Sequence, residues 1–340
     1  MLTYVFKRLL YILIVFLILS FLIFMIYNLI PGDKAAEEAR AEVAANRNLN
    51  YAERYEFWRQ RYGLDAPLPV RYLRWIGVAS YSDGGFRGLL QGNLGTSQKY
   101  SKPVAEVLAE PMKNTVTINL ISTVLALLIT IPLGMLAAVK RGGFIDTGVR
   151  VFTVVGYSLP VFIIAIVAIW IFSVNLGLFP VSGMESAGAI DWSLPRRILD
   201  RLYHLALPVG VMVFASLGGM TRYVRASLSE ALSLDCIRTA RAKGLGPRGV
   251  LWGHAWRCAL VPIVTLVIGW FLSIFSGSLM IENIFSLNGV GRVYYDALVG
   301  KDNEVVLALQ MFYIAIALLG NLITDLAYGV ADPRIRVGEK

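Results

Sequence analysis

Ionisable chemistry is thin in this sequence. Of its 340 residues only 16% are charged, where a soluble protein of this length would carry about a quarter. Histidine and cysteine occur twice each. The motifs that mark self-contained enzymes are missing: there is no G-x-x-x-x-G-K-[ST] phosphate loop and no H-E-x-x-H zinc helix. The paired glycines Gly92/Gly95 and Gly289/Gly291 do not open a helix after a strand, so they are poor nucleotide signatures. Without clustered His, Asp or Glu, a membrane-embedded enzyme has no candidate centre. The expectation is a non-catalytic chain, with no cofactor or metal of its own.

What the sequence has instead is apolar length. Hydrophobic residues make up 56% of the chain, and the mean hydropathy is +0.62. A membrane span needs about 20 mostly apolar residues, at about 1.5 Å rise each across about 30 Å of hydrocarbon. Six stretches qualify or nearly so: 9–30, 114–139, 151–184, 205–221, 259–281 and 305–324. The run 151–184 exceeds one span, and Pro180 and Gly183 mark its exit. The run 205–221 is short and is expected to continue past Arg222. The first segment has a basic flank, Lys7 and Arg8, like a signal peptide, but its apolar core from Leu9 to Ile30 exceeds the roughly 7–15 residues of a cleavable one. An uncleaved anchor is expected.

Orientation follows from lysine and arginine in the connecting segments. With the N-terminus inside, the inside segments hold Lys7, Arg8, Lys140, Arg141, Arg150, seven basic residues in 222–257, and Arg334, Arg336 and Lys340. Their acids are only Asp146, Glu230, Asp235, Asp332 and Glu339. The outside segments hold 17 basic and 17 acidic residues. The net charge of +9 is thus a topological asymmetry, and nucleic-acid binding is not needed to explain it. Both ends are expected in the cytoplasm. Cys236 and Cys258 then lie on the reducing side, which argues against a structural disulfide. His204 and His254 fall on opposite sides.

Pro132, Gly134, Pro160, Pro208, Gly218, Gly219 and Pro262 interrupt the spans. They serve either close helix packing or hinges and pore lining. No ionisable residue occupies the centre of any span, which counts against a self-sufficient secondary carrier with midplane polar sites.

The expected organisation is an N-terminus and first span (1–30), an outside loop domain (31–113), and a core of five spans (114–340) with an inside loop at about 222–257. The outside loop carries a helical Ala/Glu/Arg stretch at 35–47, then Tyr55, Phe57, Trp58, Tyr62, Tyr72 and Trp75, then glycines at 84, 85, 88, 92 and 95. It reads equally as a folded cap and as a docking surface.

The inside loop is the most informative segment. In DCIRTARAKGLGPRG, at 235–249, Asp235 suits a helix N-cap, Lys243 its last turn, and Gly244 a left-handed stop. Pro247 suits the first turn of a second helix through Val250, Leu251, Trp252, His254 and Trp256. Two short helices meeting at Gly244–Pro247 are marginal alone in water. Either a partner's groove holds them, or they rest on anionic lipid.

Residues 235–262, DCIRTARAKGLGPRGVLWGHAWRCALVP, resemble the cytoplasmic signature of permeases of dipeptide/oligopeptide/nickel-type ABC importers. IENIFSLNGVGR at 281–292, DPRIR at 332–336, IPGD at 30–33, YGLDAPLPVRYLRW at 62–75 and GNLGTS at 92–97 are similar to further segments of that family. The chain looks most like the first of the two permeases, the one with the long external loop. The resemblance implies an all-α polytopic fold of six spans, of the type I importer kind, with a small external domain between the first two. It implies a heterodimer with a sister permease, two ABC ATPases that supply ATP and Mg chemistry, and an external solute-binding protein. It implies residence in a bacterial or archaeal cytoplasmic membrane. The solute would be a di- or oligopeptide; nickel chelates, glutathione and oligosaccharides are the alternatives. The family's ATPase-coupling loop falls on Asp235, Arg238, Thr239, Ala240, Arg241, Lys243, Gly244 and Leu245, with Ala240 and Gly244 fitting its A-x-x-x-G. Arg238 stands where many ABC importers have Glu, and Gly244 to Pro262 is longer than in sugar importers, so their docking contacts do not transfer.

Overall fold

The structure is a computed structural model that describes residues 2–29, 34–81 and 83–331. The IPGD and DPRIR segments, and with them Arg334, Arg336 and Lys340, lie outside the described residues. Among those described there is no strand; an isolated bridge joins Thr96 and Pro103.

The helices are, in chain order, α1 (Leu2–Leu29), α2 (Lys34–Ala45), α3 (Tyr51–Arg61), α4 (Leu68–Ile76), α5 (Val104–Val139), α6 (Phe144–Ser158), α7 (Val161–Ala168), α8 (Leu194–Ala231), α9 (Asp235–Ala242), α10 (Pro247–Val250), α11 (Trp256–Ser273), α12 (Leu279–Ile284), α13 (Val290–Val299) and α14 (Asn303–Ala331). Four are long and apolar enough to cross a membrane: α1, α5, α8 and α14. Two bent pairs raise the count to the expected six when each is one span.

The bends depart from the expected spans. The uncharged run from 151 does not form one helix. α6 ends at Ser158, and α7 restarts with Pro160 at its N-cap, turned by 100°. Proline has no N–H to continue the ladder and pushes Leu159 into extended geometry, φ −88° and ψ 132°. The helical path then runs through a π-turn to Asn175, leaving Pro180 and Gly183 in irregular chain. The fifth span closes at Ser273 rather than 281 and bends by 60° at Pro262. α8 meets the expectation of a longer fourth span: its 38 residues reach about 57 Å at about 1.5 Å each, well beyond the bilayer core.

Two compact units result. One comprises Leu9–Ala109 and Asp296–Ala315. In it α2 packs on α3, and Arg54 donates to Glu42 (Nη2–Oε1 2.9 Å). Asn50 caps α3 by accepting from the Ala52 N–H at 2.9 Å. α4 buries Tyr72 and Ile76 with Phe24 of α1 and Leu307 of α14, and the Tyr72 hydroxyl meets Ser20 Oγ at 2.6 Å. The aromatic-rich loop therefore folds with the first span as one body.

The second unit comprises Met1–Arg8, Glu110–Tyr295 and Ile316–Lys340. α6, α7 and α11 pack on α8. Its main core gathers Ile118, Leu205, Val209, Val213, Phe285 and Leu287. Two of the span glycines are there for close approach. A Cβ on Gly218 would stand 2.6 Å from the Thr153 carbonyl oxygen, and one on Gly134 2.7 Å from Val224 Cγ1.

Candidate functional site

The inside loop is one short helix hung between two long ones. α8 runs on to Ala231, three residues separate it from α9, and α9 ends one turn before α10. Ile237 and Ala240, at i and i+3, are the only buried residues of α9. They join Leu228 and Ala231 of α8, Val250 of α10, and Ala255 and Ala259 beyond it in one apolar cluster. Burying a side chain such as Ile237, which is fully enclosed, is worth about 1.5–3 kcal/mol. Two side chains thus hold α9 to the body, and the rest of its surface is open.

Three expectations about this loop need correction, the third at the C-terminal end of α9. Asp235 is not the N-cap: Leu234 holds that place in extended geometry, with no side-chain cap bond, and Asp235 is already helical. Its carboxylate therefore points outward and accepts from Arg238 at 3.2 Å; both side chains are exposed, and such a pair contributes little. In the first turn the negative charge still suits the helix dipole. The second correction concerns the partner helix. α10 does not stop: a π-turn over Leu251–Ala255 carries it into α11 without leaving helical geometry. Pro247 opens it at N1 as expected. Of the two, α9 alone is an isolated short helix; the second is the N-terminal end of the fifth span.

The C-terminal end of α9 is closed by its own backbone. Lys243 is the C-cap, so Arg241 and not Lys243 is the basic residue of the last turn. Gly244 has φ +80°. Its N–H donates to the Arg241 carbonyl at 2.9 Å, and the Leu245 N–H donates to the Ala240 carbonyl at 3.3 Å. That bond pair is a Schellman motif, which requires the left-handed residue at Gly244. Thr239 Oγ1 donates back to the Asp235 carbonyl at 3.0 Å. Arg238, Thr239 and every residue from Arg241 to Gly249 are exposed. Of the residues expected to couple, Ala240 anchors and the others face outward.

Two polar devices in this unit escaped the sequence. Asp146, on α6, is 1% exposed and accepts from Arg225 of α8 (Nε 2.5 Å, Nη2 2.8 Å) and from the Gly142 N–H at 2.9 Å. The pair ties the α5–α6 turn to the helix that leads into α9. Glu282 of α12, also buried, accepts from Thr115 Oγ1 of α5 (3.0 Å) and from the N–H groups of Ser278 (3.2 Å) and Arg292 (2.9 Å). Gly289 and Gly291 pack on that carboxylate, leaving no room for a Cβ. This accounts for the glycines of IENIFSLNGVGR. The Asp146–Arg225 and Glu282–Thr115 contacts leave no sequence signal, because the two members of each pair stand far apart in the chain.

In the unit that holds the outside loop, a cavity of about 770 Å³ is lined by Arg59, Arg61, Tyr62, Arg71, Arg74 and Glu304, among others. Arg59 and Arg74 pair with Glu56 and Asp65. Burial, then the neighbouring Glu38, pushes the Tyr62 hydroxyl up to about 12.

Helices long and apolar enough to cross a membrane, with the short α9 held between two of them, define a helical membrane protein. Residues 130–337 match the family described as the binding-protein-dependent transport system inner membrane component, and residues 1–119 match the N-terminal region of such components. The chain belongs to that family. It is 34% identical over 336 residues to the oligopeptide transport system permease protein AppB of Bacillus subtilis, covering 98% of this chain and 99% of that one. It is 32% identical over 325 residues to the dipeptide transport system permease protein DppB of the same organism, covering 95% and 94%. Among solved structures, the MetNI methionine ABC transporter aligns with a TM-score of 0.47 at 18% identity, over 64% of this chain and 94% of that chain.

Proposed function

We propose that this chain is the permease subunit of an ATP-driven importer of di- and oligopeptides. It forms the solute path with a sister permease, receives peptide from an external binding protein, and draws its power from two cytoplasmic ATPases that bind ATP and Mg. Both termini face the cytoplasm, in keeping with the basic residues of the inside segments. One observation carries the coupling role: α9 keeps Ile237 and Ala240 inward and turns Asp235, Arg238, Thr239, Arg241, Lys243, Gly244 and Leu245 outward. Closure of the ATPases would push on that surface. The push would travel through α8 and through α10–α11, because α9 packs on both. The peptide assignment rests on the two Bacillus subtilis relatives.

The test is uptake of a labelled tripeptide by proteoliposomes that hold the permease pair, the ATPases and the binding protein. Uptake should require ATP inside and stop when the ATPases are omitted. Equal uptake without ATPases would establish a secondary carrier instead. ATP-dependent uptake of a nickel chelate, glutathione or an oligosaccharide, with no peptide uptake, would keep the mechanism and replace the solute.

A further inference from the structure

The cavity of about 770 Å³ in the unit that holds the outside loop lies where two membrane spans end. Phe24, Tyr27 and Asn28 line it from the last turns of α1, and Asn303, Glu304 and Leu307 from the first turns of α14. The membrane-crossing stretches of these helices are Val5–Leu29 and Asn303–Ala327, 25 residues each. At 1.5 Å per residue each is about 37 Å long, which exceeds a hydrocarbon core of about 30 Å and brings the ends into the headgroup layer. The end of one span and the start of another thus fix the cavity at the level of the lipid headgroups. Tyr27 and Trp75 in its wall are of the residue types that gather at that level.

The charge of the lining is one-sided. Among the described residues, Arg59, Arg61, Arg71, Arg74 and Arg87 stand against two acids, Glu38 and Glu304. Arg74 is committed to the fold: it donates to the Ser80 carbonyl at 3.1 Å and pairs with Asp65 at 3.2 Å. Arg71 donates to Asn28 at the end of α1. The other three are held loosely. Arg59 pairs with Glu56 at 3.3 Å, and Arg87 pairs with Asp83, but all four side chains are about half exposed, and such pairs contribute little. Arg61 lies over the Trp58 and Phe57 rings, at 5.5 and 5.8 Å, with no ion-pair partner among the described residues. Guanidinium forks match the oxygens of a phosphate, and the volume is that of a site for a small ligand, about 300–1,000 Å³.

We propose that this cavity binds the headgroup of an anionic phospholipid, with Arg59, Arg61 and Arg87 on its phosphate and Phe24 and Leu307 beside the start of its acyl chains. The lining combines guanidiniums with apolar side chains at the ends of spans, which is the order of groups along a phospholipid. The excess of arginine over glutamate favours a lipid without an ammonium of its own, so phosphatidylglycerol should bind better than phosphatidylcholine. A bound lipid would join α3 and the loop after α4 to the ends of α1 and α14, and hold the outside loop domain on the membrane surface. The proposal needs a chain that crosses a membrane; it does not depend on the solute or on the role of α9.

The experiment titrates the assembled complex, purified in a neutral detergent, with dihexanoyl phosphatidylglycerol and follows hydrogen exchange of α3 and α4 by mass spectrometry. Exchange should slow saturably, and dihexanoyl phosphatidylcholine at the same concentrations should do little. Arg59→Gln/Arg61→Gln should raise the half-saturating concentration about tenfold or more, as the loss of a bond to a charged group does. Arg40→Gln/Arg47→Gln removes the same charge from exposed positions outside the cavity and should leave it unchanged. Both cavity arginines end α3, so Arg59→Lys/Arg61→Lys serves where the glutamine pair loosens that helix: it keeps the charge, loses the fork, and should bind more weakly than the wild type. Equal protection by phosphatidylcholine would overturn the proposal, and so would equal weakening by the two glutamine pairs, which would mean diffuse attraction to an anionic surface. Protection by inorganic phosphate at the same concentrations would assign the site to a free anion instead, and protection by a tripeptide with none by phosphatidylglycerol would assign it to the solute; either result would refute the lipid.

Discussion

Gly244 concentrates the demands of the turn that closes α9 in one residue. Its φ of +80° is forbidden ground for most side chains, yet the space around the missing Cβ is open. Substitution is therefore penalised by backbone strain alone, about 1–2 kcal/mol for Ala. That strain falls on the Schellman bonds that close α9, and it leaves the packed core untouched. Gly244→Ala and, more severely, Gly244→Pro should insert and assemble normally but lower peptide uptake relative to ATP hydrolysis. Gly244→Asn, which tolerates the left-handed region, should sit between. Uptake per ATP is the measurement, and normal coupling in a well-expressed Gly244→Pro variant would refute the assignment. Gly289 is the opposite case. Its φ is ordinary, but a Cβ there would run into the Glu282 carboxylate. Gly289→Ala should lower the thermal stability of the complex by about 1–3 kcal/mol, as overpacking does, without a specific loss of coupling.

At the scale of elements, charge pairs hold neighbouring helices together in both compact units. Asp146 and Arg225 join α6 to α8 with almost no solvent at the carboxylate. Asp146→Asn removes the charge from bonds that are worth about 1–3 kcal/mol to a charged group. Its unfolding midpoint should drop by a corresponding amount, and the Asp146→Arg/Arg225→Asp exchange should recover part of it. In the outside loop, the bond from Arg54 holds the Glu42 carboxyl below its usual value of 4.5. A carboxylate depressed on folding stabilises above the unfolded value and loses that contribution as pH falls through the folded one. Hydrogen-exchange protection of α2–α3, corrected for intrinsic rates, should therefore weaken as pH drops below about 4.5, and Glu42→Gln should flatten the trend. The sequence shows such elements unevenly. The apolar runs of α1, α5 and α14 and the charge-poor core of α8 are legible because hydrocarbon imposes length and composition residue by residue. The break at Pro160 is not, since proline is common in spans and only neighbouring helices decide whether one kinks or ends. In the coupling loop, Gly244 and Pro247 announce their own geometry. The continuity of α10 into α11 does not announce itself, because a π-turn leaves no compositional mark. Asp146–Arg225 and Glu282–Thr115 depend on contacts between distant segments, which a single sequence does not print.

For the molecule as a whole, the decisive quantity is the sign of charge on each side of the bilayer. Fifteen basic residues and five acidic ones fall in the segments read as inside, against 17 of each outside. Translocating lysine and arginine in short loops is unfavourable, so such an excess stays in the cytoplasm. The same orientation puts Arg238, Arg241, Lys243 and Arg248 where ATPases could meet them, and puts the aromatic loop of α2–α4 where a binding protein could reach it. The two functional assignments therefore stand or fall together on topology. In a background with Cys236→Ser and Cys258→Ser, single reporters Phe86→Cys in the loop after α4 and Arg248→Cys in α10 test it, since both parent residues are exposed. A membrane-impermeant maleimide applied to intact cells or spheroplasts should label the first at once and the second only after permeabilisation. The reverse pattern would place α9 outside the cell, where no ATP-driven partner could push on it, and the coupling proposal would fail with the orientation.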